Sequence, residues 1–550
     1  MVTFIKNNIL ILALILILAL YLGAKSFDDG WDGWGFGSAQ TLMSNQYWVK
    51  DGFAKNYFLF ISSPYSKLIH YLDLEEFRTR KIEDINGALI RNRIYYTHYP
   101  PFYSLPYAVM AKLGIESRAA FRIFSLFISL FALFLFYLFI KSISNKIIAV
   151  IASVYYGFSV TFLNYSDSIS VQPWTILFTF LILNLSILAW QNYENSEKYK
   201  KYNWVVWVSY LALSLSSYDA TFFIFAYLVL FDFLILRKFL WKKWLFFASA
   251  PIFGFTLQIF QNVWYLGLAD TWRDIFTSYM GRAIGAPKGF LLGLITPFVG
   301  MTSIKTIFIF KKMVIALTSA TVIFSILWQF RQKNGFDSRY FKIMFILAAA
   351  VIAQPFFINV TGHWPYQGVL AAPFWGLLIG ASTVFIINAL KKRELNIYKM
   401  FYFWILTAAV STIWIFQFYS TFVYAKDWPN NRPDQKVIEF SKEIKNLYPE
   451  KERIAFRILP KNSIWKSQFP VFNFEYYLGI LKLDFVNTED LLTEFWWLRN
   501  ISEYPFYSFI IAENKSNILK IRQKLLTKKI IGISPIIEIQ NQYLFTVDPK

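Results

Sequence analysis

Carboxylates, one histidine and two arginines stand where they can do chemistry, in a chain otherwise poor in such groups. The segment FDDGWDGWGFGSAQTLM places Asp28, Asp29 and Asp32 directly after the first apolar run. A carboxylate there can take a proton from a hydroxyl or bind a metal. The same residues also suit a solvated acidic loop turned by glycines. Trp31 and Trp34 flank Asp32, and a helical stretch follows. Further on, Tyr95-Tyr96-Thr97-His98-Tyr99-Pro100-Pro101 sets His98 in an aromatic loop fixed by prolines, with Pro101 suited to a first helical turn. His98 can bind a metal, donate to a phosphate or move a proton. Arg118 and Arg122 are four residues apart, so they share one helical face. They can capture a lipid phosphate or snorkel to the headgroups. Asn164-Tyr165-Ser166-Asp167-Ser168 forms a short polar break between apolar runs, where Asp167 can cap the next helix, serve a site, or both.

The elements that must position these groups are membrane spans. Of the 550 residues, 56% are hydrophobic, 21% aromatic and 16% charged. An ordinary soluble chain carries about 25% charged residues. This composition excludes a disordered protein and argues against an all-soluble enzyme. A span needs ~17–25 mostly apolar residues. Eleven runs qualify, at 8–24, 119–140, 146–164, 169–190, 203–218, 220–236, 244–264, 312–330, 343–360, 367–390 and 400–424. The first also has features of a signal peptide, with Lys6 before it and the small residues Gly23 and Ala24 at its end.

The net charge is +21. It comes from clusters between the runs, such as Lys198, Lys200 and Lys201, then Arg237, Lys238, Lys242 and Lys243, then Lys391, Lys392 and Arg393. Placing each cluster in the cytoplasm satisfies the positive-inside rule and puts 25–118, 165–168, 219, 265–311, 361–366 and 425–550 outside. No basic stripe on a nucleic-acid-binding fold is present, so no nucleic-acid partner is expected. With no cysteine, disulfides, Cys-ligated zinc and thiol catalysis are excluded. Residues 101–113 are apolar but too short to span, and read as a re-entrant or interfacial helix.

After Lys426, charges of both signs become frequent. Residues 434–448 and 515–528 read as helices, with Asp434 as a candidate N-cap; 453–459, 507–512 and 535–547 read as strands. The expected architecture is an α-helical polytopic membrane protein. It has about eleven transmembrane helices and a long first outer loop in 1–424, and a small extracytoplasmic α/β domain in 425–550.

The spans carry almost no ionisable group, which disfavours a conduit through the bilayer. The chemistry gathers at the outer ends. Asp32, His98-Tyr99-Pro100-Pro101, Arg122 and Asp167 follow one another in an order and spacing that resembles the GT-C superfamily of lipid-linked-sugar glycosyltransferases. The protein O-mannosyltransferases and the aminoarabinose transferases are its familiar branches. The resemblance is good over 1–240 and architectural beyond. It implies transfer of a sugar from a polyprenyl-phosphate to a hydroxyl of a lipid, glycan or protein acceptor at the outer face, with inversion. In that reading Asp32 is the general base, with Asp28 and Asp29 as rivals. Arg122, Arg118 and His98 meet the donor phosphate, and Asp167 orients donor or acceptor. Tyr96, Tyr99, Asp219, His363 and Tyr366 line the substrates, and a divalent metal is an option at His98 with Asp32.

Two departures stand out. The family's first motif is often Asp-Glu, whereas neither neighbour of Asp32 is acidic. Some relatives carry Lys where this chain has Ser217-Tyr218-Asp219. The alternatives are a flippase of lipid-linked sugars and a non-catalytic scaffold for envelope assembly.

Overall fold

The computed structural model describes residues 2–27, 35–63, 94–97, 99–283, 343, 346–347, 371–392, 397–427, 435–448, 453–458, 481–485, 507–512, 514–527, 532–539 and 542–547. The expected spans at 312–330 and 343–360 fall outside these residues, apart from helical positions 343, 346 and 347. So do Asp28, Asp29, Asp32, His98, His363, Tyr366 and Asp434.

The helices are α1 (Val2–Ser26), α2 (Gly35–Asp51), α3 (Leu105–Lys112), α4 (Arg118–Ile143), α5 (Lys146–Gly157), α6 (Val160–Tyr165) and α7 (Val171–Gln191). They continue as α8 (Ser196–Ser214), α9 (Tyr218–Phe231), α10 (Trp241–Leu266), α11 (Leu268–Ala283), α12 (Ala371–Lys392) and α13 (Ile397–Asp427). Among the described residues, five helical segments are long and apolar enough to cross a membrane, within α1, α4, α7, α10 and α13. Shorter apolar segments lie at Lys146–Gly157, Ala220–Leu236 and Ala372–Val384.

Two faces distinguish these helices from those of a soluble core. On α10 the buried residues Phe247, Ala250, Gly254, Gln258, Asn262 and Tyr265 recur every three or four positions, forming one stripe. The rest of the helix exposes Leu245, Ile252, Phe253, Leu257 and Phe260. An apolar exterior of this kind is stable in lipid and not in water. The chain is therefore a multi-pass membrane protein.

Polar residues at the breaks start the helices. Asn145 accepts from the amides of Ile147 and Ile148, and Asn195 from that of Lys198. The run 146–164 is two helices rather than one: Ser159 accepts from the Phe162 amide at 3.2 Å and begins α6. Capping overrides hydropathy there. The segment at 101–113 is short as expected, a 3-10 turn at Phe102–Ser104 followed by the eight residues of α3.

α12 packs on α5 through Gly376 and Gly380. A Cβ at Gly376 would lie 2.9 Å from the Ala152 carbonyl oxygen, and one at Gly380 2.9 Å from the Ala152 Cβ. The Gly-x-x-x-Gly spacing lets the two backbones touch, which is how helices pack tightly without a hydrophobic drive between them.

Two sheets complete the fold. Between α2 and α3, β1 (Phe60–Ser63) pairs antiparallel with β2 (Ile94–Tyr96), Phe60 opposite Tyr96 and Ile61 opposite Tyr95. The C-terminal part contains α14 (Gln435–Leu447), β3 (Arg453–Ile458), β4 (Leu481–Phe485), β5 (Tyr507–Ala512), α15 (Lys515–Thr527), β6 (Ile537–Ile539) and β7 (Gln542–Val547). Its sheet runs β4-β3-β5-β7-β6, parallel across β4-β3-β5 and antiparallel from β5 onward. The expected strand at 535–547 is in fact the antiparallel pair β6–β7, and β4 adds a strand to those expected.

Candidate functional site

At one end of the bundle, α1 stops at a charged residue instead of running on. Lys25 is fully buried, and its ammonium donates to Asp167 Oδ1 at 2.8 Å, to the Leu163 carbonyl at 2.9 Å and to the Asn164 carbonyl at 3.4 Å. Both carbonyls lie in the last turn of α6, where helix carbonyls have no intrahelical partner. Asp167 Oδ2 takes Arg122 Nε at 3.1 Å, Arg122 Nη2, and Ser26 Oγ at 3.3 Å. Lys25, Arg122 and Asp167 each show no exposure to solvent. Arg122 does not snorkel, and Asp167 caps no helix: the N-cap of α7 is Ser170.

Burial pushes the Asp167 carboxyl up, but Arg122 and Lys25 together outweigh it and hold the group below its usual value. Asp167 is thus a carboxylate with its oxygens already engaged. It is a poor proton acceptor and a strong organiser.

The loop bearing Asp167 is pinned from every side. Ser129 on α4 donates to the Ser166 carbonyl at 2.7 Å, and the Ile169 amide donates to Ser38 of α2 at 3.0 Å. Tyr424 of α13 donates to the Leu163 carbonyl at 3.1 Å, with its ring 5.9 Å from the Lys25 ammonium.

α2 carries this order toward the His98 segment. Its Thr41 meets Tyr103 at 3.4 Å, and its Asn45 accepts from Ser104 at 2.9 Å. Its Ser44 accepts from the Ile61 amide of β1 at 2.9 Å, and β1 in turn carries β2. α3 joins α4 through Tyr107 and Ser125 at 2.7 Å, one turn from Arg122.

Both neighbours of His98 are held. Thr97 donates to Asp274 of α11 at 2.5 Å, and its carbonyl accepts from Asn262 of α10 at 3.0 Å and from Gln258 at 3.5 Å. Tyr99 donates to Ser217 at 3.4 Å, and its ring lies 5.8 Å from that of Tyr218. The 99 position thereby meets the 217–219 turn, and Asp219 is the second residue of α9. Tyr96 is half-buried in β2, and Arg118 opens α4 half-buried. Among the described residues no three His, Asp or Glu gather as metal ligands. Of the expected site residues, the structure thus joins Arg122 to Asp167 directly and Tyr99 to the 217–219 turn.

The sequence reading passed over Lys25, Tyr424, Asn262 and Asp274. Lys25 had a signal: a lysine at the predicted outer end of an apolar span runs against the charge bias of the other connections. Asn262 and Asp274 sit in apolar or amphipathic helices with no motif around them, and only the fold shows their partner.

The fold has solved counterparts. The chain is similar over 97% of its length to 97% of ArnT from Cupriavidus metallidurans bound to undecaprenyl phosphate, with a TM-score of 0.56 and 10% identity. The apo state of the same protein gives 0.55 and 11% over the same shares. The apo oligosaccharyltransferase of Archaeoglobus fulgidus follows at 0.47 and 12%, covering 91% of this chain and 69% of that one. No family model matches the sequence, and no curated protein matches it. The fold is that of the two ArnT structures.

Proposed function

We propose that the protein is a GT-C-type glycosyltransferase, moving a sugar from a polyprenyl-phosphate donor to a hydroxyl acceptor at the outer face of the membrane. One observation carries the reading. A buried Lys25–Asp167–Arg122 cluster stands at one end of a bundle whose fold, over nearly its whole length, is that of a protein solved with undecaprenyl phosphate.

The chemistry asked of the site is modest. The acceptor oxygen attacks the anomeric carbon from the face opposite the phosphate. Its proton passes to a carboxylate, the carbon–oxygen bond to phosphate breaks, and the polyprenyl phosphate leaves with the electron pair. Attack from the opposite face inverts the anomeric centre. Asp32 is the proposed base, with Asp28 and Asp29 as rivals. The departing phosphate is already a good leaving group, so it needs positive charge more than a proton. Arg122, Arg118 and His98 are the proposed sources. Asp167, engaged on both oxygens, fixes the Arg122 guanidinium and so acts through it. Tyr96, Tyr99 and Asp219 border the donor or acceptor, with His363 and Tyr366 completing the proposed wall. A divalent metal would find its ligands in His98 and Asp32, and would add positive charge at the phosphate.

The test is direct. Purified protein in proteoliposomes, given a panel of polyprenyl-phosphate sugars, should release polyprenyl phosphate only when a hydroxyl acceptor is present. Lipid-linked glycans and surface polysaccharide compared with and without the gene would identify donor and acceptor. Unchanged glycans and no release with any donor would reject the proposal.

A further inference from the structure

The far end of the bundle carries a second polar assembly that the glycosyltransferase reading leaves unused. Tyr99, Phe102 and Tyr265 mark the Asp167 end, through the contacts Tyr99–Ser217, Phe102–Leu215 and Tyr265–Tyr95. The other ends of α7, α8, α9 and α10 meet at 191–201 and 232–244. There α9 loosens into a π turn, Asp232–Leu236, and Arg237 closes it in the left-handed conformation, φ 53°.

Asp232 is 1% exposed and accepts from Lys243 at 2.7 Å and from the Trp244 indole at 3.1 Å. The Lys243 ammonium also lies 5.5 Å from the Tyr199 ring and 5.3 Å from that of Phe247. This pair neutralises itself inside the junction. The cations around it are different. Lys198, Lys200, Lys201, Arg237, Lys238 and Lys242 form no ion pair among the described residues. Their acidic neighbours beyond Asp232 are the exposed Glu194 and Glu197.

Lys238 ties the two turns together. Its ammonium donates to the Tyr193 hydroxyl at 2.9 Å and lies 4.5 Å from the centre of that ring. Lys242 lies 5.6 Å from the Trp241 ring. Trp204, Phe239, Trp241 and Leu245 are all more than half exposed beside these charges. The result is an excess of positive charge next to apolar and aromatic surface, at the start of the span-length segment Trp241–Leu266.

We propose that this junction seats the headgroup of an anionic phospholipid from the leaflet opposite the Asp167 end. A phosphodiester offers acceptor oxygens and one negative charge. Arg237, Lys238 and Lys242 offer donors from one short connection, and an Arg guanidinium binds phosphate in a fixed geometry. The acyl chains lie along Phe239, Trp241 and Leu245. The internal Asp232–Lys243 pair and the Tyr193–Lys238 contact hold the turn in shape, which separates a seat from diffuse attraction. This site stands apart from the sugar-transfer reading, and its test reads lipid binding alone.

Native mass spectrometry of the full-length protein with phosphatidylglycerol in a phosphatidylcholine background would count retained lipids. The variant R237A/K238A/K242A should lose phosphatidylglycerol affinity about tenfold or more, since each cation near an anionic surface adds appreciable attraction. The control K391A/K392A/R393A removes equal charge from another basic connection and should change affinity less than about twofold. Should the triple variant fail to fold, K238Q/K242Q takes its place, with a melting temperature matching the parent as the entry condition. Equal loss in both variants overturns the proposal in favour of uniform charge attraction, and loss in neither overturns it outright. Displacement of the lipid by inorganic phosphate alone overturns it in favour of a soluble phosphate site.

Discussion

Asp167→Asn is a near-isosteric change with a large expected cost. The wild-type carboxylate faces two cations, Lys25 and Arg122, all three fully buried. Four hydrogen bonds end on it, one on Oδ1 and three on Oδ2. Asparagine keeps the volume but supplies one neutral oxygen, and its amide hydrogens point toward a cation on the other side. Removing one partner of a buried ion pair costs about 3–5 kcal/mol, because the remaining charge stays desolvated. Here two cations are left behind, so the upper part of that range is expected.

Stability of purified protein in detergent, followed by denaturant or thermal unfolding, measures it. Lys25→Met in the same background should restore part of the loss, since it removes one of the two stranded charges. The coupling in that double-mutant cycle should be about 1–3 kcal/mol. The effect also has a pH signature. The native carboxyl titrates below its unfolded value of about 3.9, so the contribution is complete above that pH and fades as pH falls through the lower native value. The wild-type advantage should therefore be flat from about pH 5 to 8 and vanish in stronger acid. A melting temperature for Asp167→Asn within a degree or so of wild type would refute the buried-triad argument.

Four further outcomes are expected. Asp32→Asn should lower turnover about 10²–10⁴-fold with less effect on donor binding; full activity there, with loss in Asp28→Asn or Asp29→Asn, reassigns the base. Gly380→Val puts a branched side chain where a Cβ already meets Ala152 at 2.9 Å, and should destabilise by about 1–3 kcal/mol or more, read as a lowered melting temperature, while Gly23→Val, in open space, should be near neutral. Asp274→Ala frees the Thr97 hydroxyl; it should reduce kcat/KM in the sugar-transfer assay through the His98 segment, with Asp274→Asn recovering part of it because the amide oxygen can still accept. In cells, a cysteine at residue 195 should resist an impermeant thiol reagent and one at 515 should react; the reverse pattern would invert the proposed orientation.

Hydropathy made the bundle legible. The fourth helix was expected at 119–140 and spans Arg118–Ile143, and the last at 400–424 spans Ile397–Asp427. Period and charge marked where lipid begins, but not where a hydroxyl can start a new helix, as Ser159 does. In the C-terminal part, the alternation Leu481-Lys482-Leu483-Asp484-Phe485 carried a strand signal that was present and passed over. Within the site, Arg122 and Asp167 drew attention singly, because ionisable groups beside apolar runs are conspicuous. Their union was not readable. It depends on Lys25, 142 residues from Asp167, and on the order in which the helices pack. Gly376 and Gly380 were equally silent, since a four-residue glycine spacing means little until the facing helix is known.

The seam made by α13 bears on biogenesis. Tyr424 holds the Leu163 carbonyl, Thr421 the Phe158 carbonyl and Gln417 the Tyr155 carbonyl, so a helix made late in synthesis closes over a turn made early. Until it arrives, the nascent chain carries Lys25, Arg122 and Asp167 at the membrane with one wall missing. The ribosome has then released some 250 residues beyond Asp167. α13 and the α6 turn therefore form one wall beside Lys25, joined across 261 residues of chain.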